Sequence, residues 1–308
     1  MTLRRLGRTD IEIEPMIFGC NVLGWSLDAT GAGAVLDAFL DAGFAAFDTA
    51  DSYGKGMSET ILGNWMKARG NRDKVLVFTK VGSDMGQGHR DLSPKWIEEE
   101  VEASLKRLQT DHIDLYQTHW PDPNTPQEET LRALDRLVKA GKVRAIGSSN
   151  QSGAQLGEAL TISKREHLAR YETVQNEYNL YDRAGFEAVQ PICIAEQVSG
   201  IGYFSLARGF LSGKYRSAAD ADKSPRGKGV VEKYLNPKGE RVLAALDTIA
   251  AAHEARPAEV ALAWIIAQPG VGAPIASATT LEQVASLVKG ARLTLTAAEL
   301  AALTAAGR

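Results

Sequence analysis

The chain has 308 residues, long enough for one large domain or two ordinary ones, and its 44% hydrophobic and 24% charged residues are typical of a globular protein. A formal net charge of -3 and a pI near 6.0 argue against a nucleic-acid partner, because such proteins present basic surfaces. The two cysteines, Cys20 and Cys193, form no C-x-x-C pair, and no apolar run approaches the roughly 18 residues of a membrane helix. We expect a soluble, cytoplasmic protein without disulfides, thiolate metal sites or membrane contact.

The predicted elements begin with a hairpin, in which extended pieces at 3–6 and 11–14 flank the turn residues Gly-Arg-Thr-Asp. Strands and helices then alternate, and Ser58 is expected to cap the second helix as its N-cap residue. The predicted strands are 16–19, 44–48, 75–80, 113–118, 143–148, 172–178, 200–205 and 274–276. The predicted helices are 30–41, 58–69, 94–108, 126–140, 152–171, 186–197, 240–253, 257–267 and 280–289.

Eight strands that alternate with helices at intervals of roughly 30 residues predict a closed (β/α)8 TIM barrel within the α/β class, forming one domain over residues 1–308. The competing layout is an open doubly wound sheet, which usually carries G-x-G-x-x-G after an early strand. No such pattern follows an early strand here. We therefore favour the barrel.

One long insertion follows the seventh strand, at residues 212–239. It is rich in Gly, Pro, Lys and Asp and shows little apolar periodicity, so we expect a loop without regular structure. A flexible belt across the barrel mouth is one interpretation, and an ordinary surface loop is the other. Its lysines and arginines favour the belt, because they suit an anionic ligand.

Reactive side chains stand at the ends of successive predicted strands, where a barrel brings them to one mouth. Asp48 ends the second strand, Tyr53 lies in the following turn, Lys80 ends the third strand and His119 follows the fourth. A lysine that ends an apolar strand needs a carboxylate, and Asp48 is on the adjacent strand. The alternatives are that the two form a structural salt bridge and that Asp48 and Tyr53 only build a turn.

Tyr53 is the predicted general acid and base. A phenol has a pKa near 10, and we expect a nearby cation to lower that pKa and make the group usable near neutral pH. His119 is expected to orient a substrate oxygen beside Tyr53. Trp25 and Trp120 are candidate walls of a substrate pocket, with core packing as the alternative for each.

Several segments taken together resemble the aldo-keto reductase family, and the resemblance covers nearly the whole chain. They are Phe-Asp-Thr-Ala-Asp-Ser-Tyr-Gly (47–54), Phe-Thr-Lys (78–80), Asp-Leu-Tyr-Gln-Thr-His (114–119), Ile-Gly-Ser-Ser-Asn (146–150), Gln-Asn-Glu-Tyr-Asn-Leu (175–180) and the run 203–214.

The resemblance implies a catalytic tetrad of Asp48, Tyr53, Lys80 and His119 that works on an aldehyde, ketone or alcohol. It also implies a nicotinamide cofactor bound across the barrel mouth without a Rossmann domain. The implied cofactor-binding residues are Gly19, Asn21, Asp48, Ser149, Asn150, Gln175, Tyr203, Ser205, Leu206, Arg208, Lys214, Arg226, Ser277, Thr279 and Gln283. The implied substrate-binding residues are Trp25, Tyr53, His119 and Trp120.

The chain departs from the family pattern at the adenosine end of the implied cofactor site. Many relatives carry an arginine for the 2′-phosphate, then Glu and Asn, where this chain has Thr279, Ser286 and Leu287. The expected preference for NADP(H) over NAD(H) is therefore small. Residues 203–206 read Tyr-Phe-Ser-Leu rather than the common Tyr-Ser-Pro-Leu. The tail after Leu295 is short and Ala-rich, so we expect no long C-terminal specificity loop.

Two other functions are alternative hypotheses to a carbonyl reductase. A cofactor-binding regulator resembling the beta subunits of potassium channels shares this fold, and the complete tetrad argues against it. A metal-dependent hydrolase needs clustered ligands, whereas His89, His112, His119, His167 and His253 are scattered singly, so no metal is expected. The sequence indicates a small-molecule substrate and leaves its identity, the physiological direction and the oligomeric state open.

Overall fold

The computed structural model describes residues 2–308 and contains a closed barrel of eight parallel strands, preceded by a small antiparallel hairpin. The hairpin consists of β1 (Arg4–Arg5) and β2 (Glu12–Ile13). The barrel strands are β3 (Ile17–Gly19), β4 (Ala46–Asp48), β5 (Leu76–Val81), β6 (Ile113–Thr118), β7 (Val143–Ser149), β8 (Tyr171–Glu177), β9 (Ser199–Tyr203) and β10 (Val271–Ala276). β10 pairs with β3, which closes the barrel. The predicted hairpin and (β/α)8 barrel are confirmed.

Twelve α-helices lie in the described part of the chain. They are α1 (Ala29–Asp41), α2 (Met57–Arg69), α3 (Pro94–Leu108), α4 (Gln127–Lys139), α5 (Gly153–Glu166), α6 (Ala184–Glu187), α7 (Gln190–Glu196), α8 (Gly227–Tyr234), α9 (Pro237–Ala252), α10 (Pro257–Ile266), α11 (Leu281–Arg292) and α12 (Ala297–Ala306). The predicted single helix at 186–197 is instead the pair α6 and α7, because Pro191 has no N–H to continue a helical ladder and stands in the first turn of α7. Of residues 2–308, no helix combines the length and the apolar character needed to cross a membrane.

The barrel interior is filled by apolar side chains, and the hairpin packs against them from below. Leu6, Ile11 and Ile13 are buried in one cluster with the inward side chains of the strands, among them Phe78 and Leu115. The Arg4 guanidinium donates to the carbonyl of Val271 at 3.0 Å, which ties the hairpin to β10. Because the interior is packed, the chemistry must lie at the carboxyl ends of the strands.

The predicted N-cap at Ser58 is wrong. Gly56, with φ of 86°, precedes the first residue of α2, and Ser58 lies inside the helix and is buried. Its hydroxyl donates to the carbonyl of Cys20 at 2.8 Å and contacts the Thr49 hydroxyl at 2.8 Å. The serine therefore fastens α2 to the segment that carries Asp48. A serine does cap the next helix: Ser93 precedes Pro94, and its hydroxyl accepts from the N–H of Trp96 at 3.3 Å.

The expectation of an irregular segment at 212–239 is also wrong. This segment contains a 3-10 turn at Ala218–Lys223, then α8 and the start of α9. Tyr215, Val230 and Tyr234 are buried, and the Tyr234 ring stacks on Phe210 at 5.4 Å between centroids. These few large side chains give the segment a packed inner face. They are widely spaced in the sequence, so they produce no regular apolar periodicity.

Candidate active site

Asp48 and Lys80 form a fully buried ion pair at the carboxyl ends of β4 and β5. The Lys80 ammonium donates to Asp48 Oδ1 at 2.5 Å and to the carbonyl of Thr49 at 2.8 Å. The second carboxylate oxygen of Asp48 accepts from the amide of Gln175 at 2.9 Å and from the amide of Gln117 at 3.3 Å. Each charge is therefore compensated, as burial requires.

Tyr53 lies against this pair. Lys80 Nζ is 3.4 Å from the phenol oxygen and 5.0 Å from the centroid of the ring. Burial raises the pKa of the phenol, Lys80 lowers it and Asp48 raises it again, with the result above the ordinary value of 10.0. The expectation of a lowered pKa is therefore wrong, because the loss of hydration outweighs the ammonium. The phenol is fully protonated at neutral pH and is suited to donating a proton.

The Lys80 group remains an ammonium. Burial alone lowers its pKa, but Asp48 and Tyr53 favour the charged form and leave the pKa above its ordinary value. A permanent positive charge next to the phenol favours a phenolate whenever Tyr53 gives up its proton. The pair therefore holds two strands together and places a fixed positive charge beside the phenol.

His119 completes the group on the same rim. Its ring lies edge-on to Tyr53, with 5.8 Å between centroids, and nearly parallel to Trp120 at 6.0 Å. Burial, Lys80 and Arg90 lower the pKa of this imidazole to about 3, so the ring is neutral at pH 7. The structure thus brings all four residues of the predicted tetrad together.

Beside the tetrad, polar side chains from β7, β8 and β9 form a connected network. The Ser149 hydroxyl donates to the carbonyl of Gln175 at 2.7 Å, and the Asn150 amide donates to the carbonyl of His119 at 2.9 Å. The Tyr203 phenol donates to Asn150 Oδ1 at 2.7 Å. These four predicted cofactor-binding residues lie together, next to Asp48.

After β9 the backbone is held in an uncommon conformation. Phe204, Ala207 and Arg208 have φ of 50°, 47° and 57°, and Gly209 follows with 98°. Non-glycine residues seldom adopt positive φ, and such strain is concentrated at ligand sites. Ser205 is buried, and its hydroxyl donates to the carbonyl of Gly202 at 2.9 Å, so it braces this turn. Leu206 lies in the same turn.

Three cations stand around this turn without a carboxylate partner among residues 2–308. The Arg208 guanidinium lies 4.6 Å from the Phe204 ring, Lys214 Nζ lies 5.1 Å from the Tyr215 ring, and the Arg226 guanidinium lies 4.4 Å from the Trp25 ring. Burial and the charge of Arg208 lower the pKa of Arg226. Arg208 and Arg226 therefore lie close enough to repel each other, and cations without an ion-pair partner are available to an anion.

The contact between Arg226 and Trp25 links the insertion to the loop after β3. The Trp25 side chain is 56% exposed, so the alternative of core packing is wrong for this residue. Trp120 is partly buried and is covered on one side by Arg90, whose guanidinium lies 4.6 Å from its ring. Sequence reasoning missed Arg90, since nothing in the local pattern distinguishes it from other loop arginines.

The residues predicted for the adenosine end form a separate cluster between β10 and α11. The Ser277 hydroxyl donates to Asn21 Oδ1 at 2.6 Å, next to Gly19, and the backbone N–H of Thr279 donates to Gln283 at 2.8 Å. Ser286 donates to Glu259 at 2.9 Å, and Leu287 is buried. The one lysine within residues 277–289, Lys289, lies 3.4 Å from Glu259. This stretch therefore offers hydroxyls and amides rather than an unpaired cation.

A second group that sequence reasoning missed is the buried acid Asp51, on the turn between Asp48 and Tyr53. Its Oδ1 accepts from the N–H of Ser52 at 2.5 Å, and its Oδ2 has no hydrogen-bond partner in the described part of the chain. Burial, Glu59 and Glu100 raise its pKa to about 8, against weaker opposing effects of Ser52 and Arg107. The carboxyl is therefore mostly protonated at neutral pH.

We expect Asp51→Asn to make the protein more stable at pH 8 than the wild type. The unfolded chain releases the Asp51 proton above pH 3.8, whereas the native state keeps it up to a pKa of about 8. The free energy of unfolding of the wild type therefore falls as the pH rises between these two values. The amide has no such proton to lose, and the advantage of the variant should grow from pH 5 to pH 8 by on the order of 2–4 kcal/mol. Urea unfolding at both pH values measures this, and an advantage independent of pH would contradict it.

The fold and the rim together define a class: a (β/α)8 barrel with a Tyr–Lys–Asp–His group at the carboxyl ends of its strands and a cationic turn after β9. The family model described as "Aldo/keto reductase family" matches residues 15–308. The chain belongs to the aldo/keto reductase family.

Relatives of similar length support this membership. The chain is 36% identical over 280 residues to the aldo-keto reductase YhdN of Bacillus subtilis (strain 168), covering 88% of this chain and 82% of the relative. It is 34% identical over 301 residues to the uncharacterized oxidoreductase YrpG of the same organism, covering 94% and 91%. It is also 32% identical over 302 residues to a probable voltage-gated potassium channel subunit beta of Oryza sativa subsp. japonica, covering 94% and 90%.

Proposed function

We propose that the protein is a nicotinamide-dependent oxidoreductase that interconverts a small aldehyde or ketone and its alcohol, with Tyr53 as general acid and base. The observation that carries the proposal is the 3.4 Å contact between Lys80 Nζ and the Tyr53 oxygen, backed by the 2.5 Å bond from Lys80 to Asp48. Burying a phenol beside a fixed ammonium at a strand end costs folding free energy. Titratable groups held in this way are concentrated at functional sites, where proton transfer uses them.

The residues on the rim fit a nicotinamide dinucleotide. Ser149, Asn150 and Gln175 present amide and hydroxyl groups for the carboxamide, and the ring of Tyr203 offers a stacking surface. Arg208, Lys214 and Arg226 would hold the pyrophosphate, with Leu206 and Ser205 in the turn below. Gly19, Asn21, Ser277, Thr279 and Gln283 would line the adenosine end.

The role of the protein in the reaction is to bind, orient and move one proton. When bound, the cofactor supplies or accepts the hydride. Tyr53 protonates the carbonyl oxygen in reduction and takes the proton back in oxidation, and Lys80 stabilises the phenolate in between. Neutral His119 donates a hydrogen bond to the same oxygen, while Trp25 and Trp120 form the walls beside it.

Binding of NADPH and NADH in separate fluorescence titrations, followed by turnover with a panel of aldehydes, ketones and alcohols, tests the proposal. Quenching of Trp25 and Trp120 emission and consumption of cofactor are the expected results. We expect the tighter binding with NADPH, by a small factor, because its 2′-phosphate can bond to hydroxyl and N–H groups at the adenosine end or to a cation of the insertion such as Lys214. Equal or tighter binding of NADH would reverse this preference.

The likeness to a probable channel subunit supports one other candidate, a protein that binds the cofactor without turnover. Cofactor binding combined with inactivity across the whole panel would favour it. The complete tetrad and its geometry favour the enzyme.

We expect Arg226→Ala to weaken NADPH binding by roughly tenfold, because it removes a charge-assisted contact to the pyrophosphate. The Kd from the same titration measures this effect. Arg216→Ala is the matched control, since Arg216 lies in the same segment but both of its outer nitrogens bond to Asp247 at 2.7 Å. A control that weakens binding as much as Arg226→Ala would show that the effect comes from the segment rather than from the cation.

A further inference from the structure

His119 Nδ1 contacts a residue outside the tetrad, Ser83. Nδ1 lies 2.9 Å from the Ser83 hydroxyl and 3.4 Å from the Ser52 hydroxyl. Nε2 has no protein partner within residues 2–308, so it is the nitrogen available to a ligand. Which nitrogen bears the proton therefore decides whether His119 can donate a hydrogen bond to a substrate oxygen.

The surroundings of Ser83 favour one of the two tautomers. Ser83 is buried, and His119 is the sole side-chain or backbone partner of its hydroxyl in the described structure. If Nδ1 carried the proton, the Ser83 oxygen would accept it and its own hydrogen would be left buried without an acceptor, which is unfavourable. If Nδ1 is bare, the Ser83 hydroxyl donates to it, both of these groups are satisfied, and the ring proton stays on Nε2 for a ligand.

Ser83 itself is held firmly. Its carbonyl accepts from the amide of Gln87 at 3.2 Å, and the Gln87 side chain also accepts from the N–H of Met85 at 2.7 Å. Asp84 accepts from the N–H groups of Gly86 and Gly88 at 2.8 and 3.0 Å. The loop after β5 is thus braced by its own side chains, which keeps the hydroxyl in line with the imidazole.

We propose that Ser83 is a positioning residue for the reaction: its hydroxyl donates to Nδ1 of His119 and keeps the ring proton on Nε2, where it is directed to the substrate oxygen. The inference rests on the proposed function only for its kinetic consequence, because the tautomer exists in the protein without any ligand. The neutral state of His119 is consistent with it, since burial, Lys80 and Arg90 lower the pKa to about 3.

Nitrogen-15 NMR of the protein labelled in histidine tests the tautomer directly. The wild type should show a protonated Nε2 and a bare, hydrogen-bonded Nδ1 for His119, assigned by comparison with His119→Asn. In Ser83→Ala the Nδ1 resonance should move and the Nδ1–H form should become populated, whereas Ser83→Thr should restore the wild-type pattern. A wild type protonated on Nδ1, or an unchanged spectrum in Ser83→Ala, would overturn the proposal.

Kinetics provide the second readout. Ser83→Ala should lower kcat about three- to tenfold and leave the Kd for the cofactor unchanged, as expected for one lost hydrogen bond. Ser52→Ala is the matched control: at 3.4 Å its hydroxyl is a poor partner, so it should leave both the spectrum and kcat near wild type. An equal loss in both variants would contradict the assignment to Ser83. Absence of turnover in the wild type would count against the proposed function, while the spectra would still decide the tautomer.

Discussion

Tyr53→Phe is expected to lower kcat by about 10²- to 10⁴-fold while cofactor binding stays near wild type. The change removes the oxygen that lies 3.4 Å from Lys80 and nothing else, so the ring and its edge-on contact with His119 remain. Steady-state turnover and the fluorescence Kd measure the two effects separately.

Tyr116→Phe is the matched control for this variant. Tyr116 is also a buried tyrosine, on β6, but its phenol oxygen has no hydrogen-bond partner in the described structure. Removal of that oxygen should leave turnover unchanged. If Tyr53→Phe retained wild-type turnover, the proton would have to come from another group and the assignment of Tyr53 would fail.

Lys80→Met should abolish turnover and also destabilise the protein by about 3–5 kcal/mol, because it leaves the Asp48 carboxylate buried without its cation. The side chains of both residues are almost completely buried, so solvent cannot compensate for the loss. Urea unfolding measures the stability, and the same preparation serves for turnover.

The double variant Lys80→Met/Asp48→Asn separates structure from chemistry. With both charges removed, Gln175 and Gln117 can still bond to the amide at position 48, so most of the lost stability should return while turnover stays absent. Recovery of turnover in the double variant would show that the pair is a structural salt bridge, the alternative that the sequence left open.

The strand ends were predictable from the sequence because each follows a simple rule. An apolar run that stops at Asp48, Lys80 or His119 places that side chain at a strand end, and parallel strands in a barrel bring their ends together. The carboxyl-end residues of β7, β8 and β9 also follow predicted strands, but their cofactor-binding role was implied only by the family resemblance. Spacing and residue type were sufficient for these positions.

What could not be predicted depends on neighbours that are distant in the chain. The direction in which the Tyr53 pKa shifts depends on how far burial outweighs Lys80. The raised pKa of Asp51 depends on its burial and then on Glu59 and Glu100 from α2 and α3. The order within 212–239 depends on where Tyr215 and Tyr234 pack. Ser58 resembles an N-cap in sequence, but its hydroxyl is hydrogen-bonded to the Cys20 carbonyl and the Thr49 hydroxyl.

The hairpin below the barrel has a consequence for folding during synthesis. Two of its hydrogen-bond partners are late in the chain: the N–H of Gly7 donates to the Ser199 hydroxyl at 2.9 Å, and Arg4 donates to the carbonyl of Val271. A ribosome must therefore extend the chain to Ser199 before the first of these contacts can form and to Val271 before the second, and closure over so long a chain is slow. Strands β9 and β10 also supply part of the apolar cluster around Leu6, Ile11 and Ile13, so the cover of these residues is incomplete until both strands are made. In this interval a chaperone has apolar surface to bind.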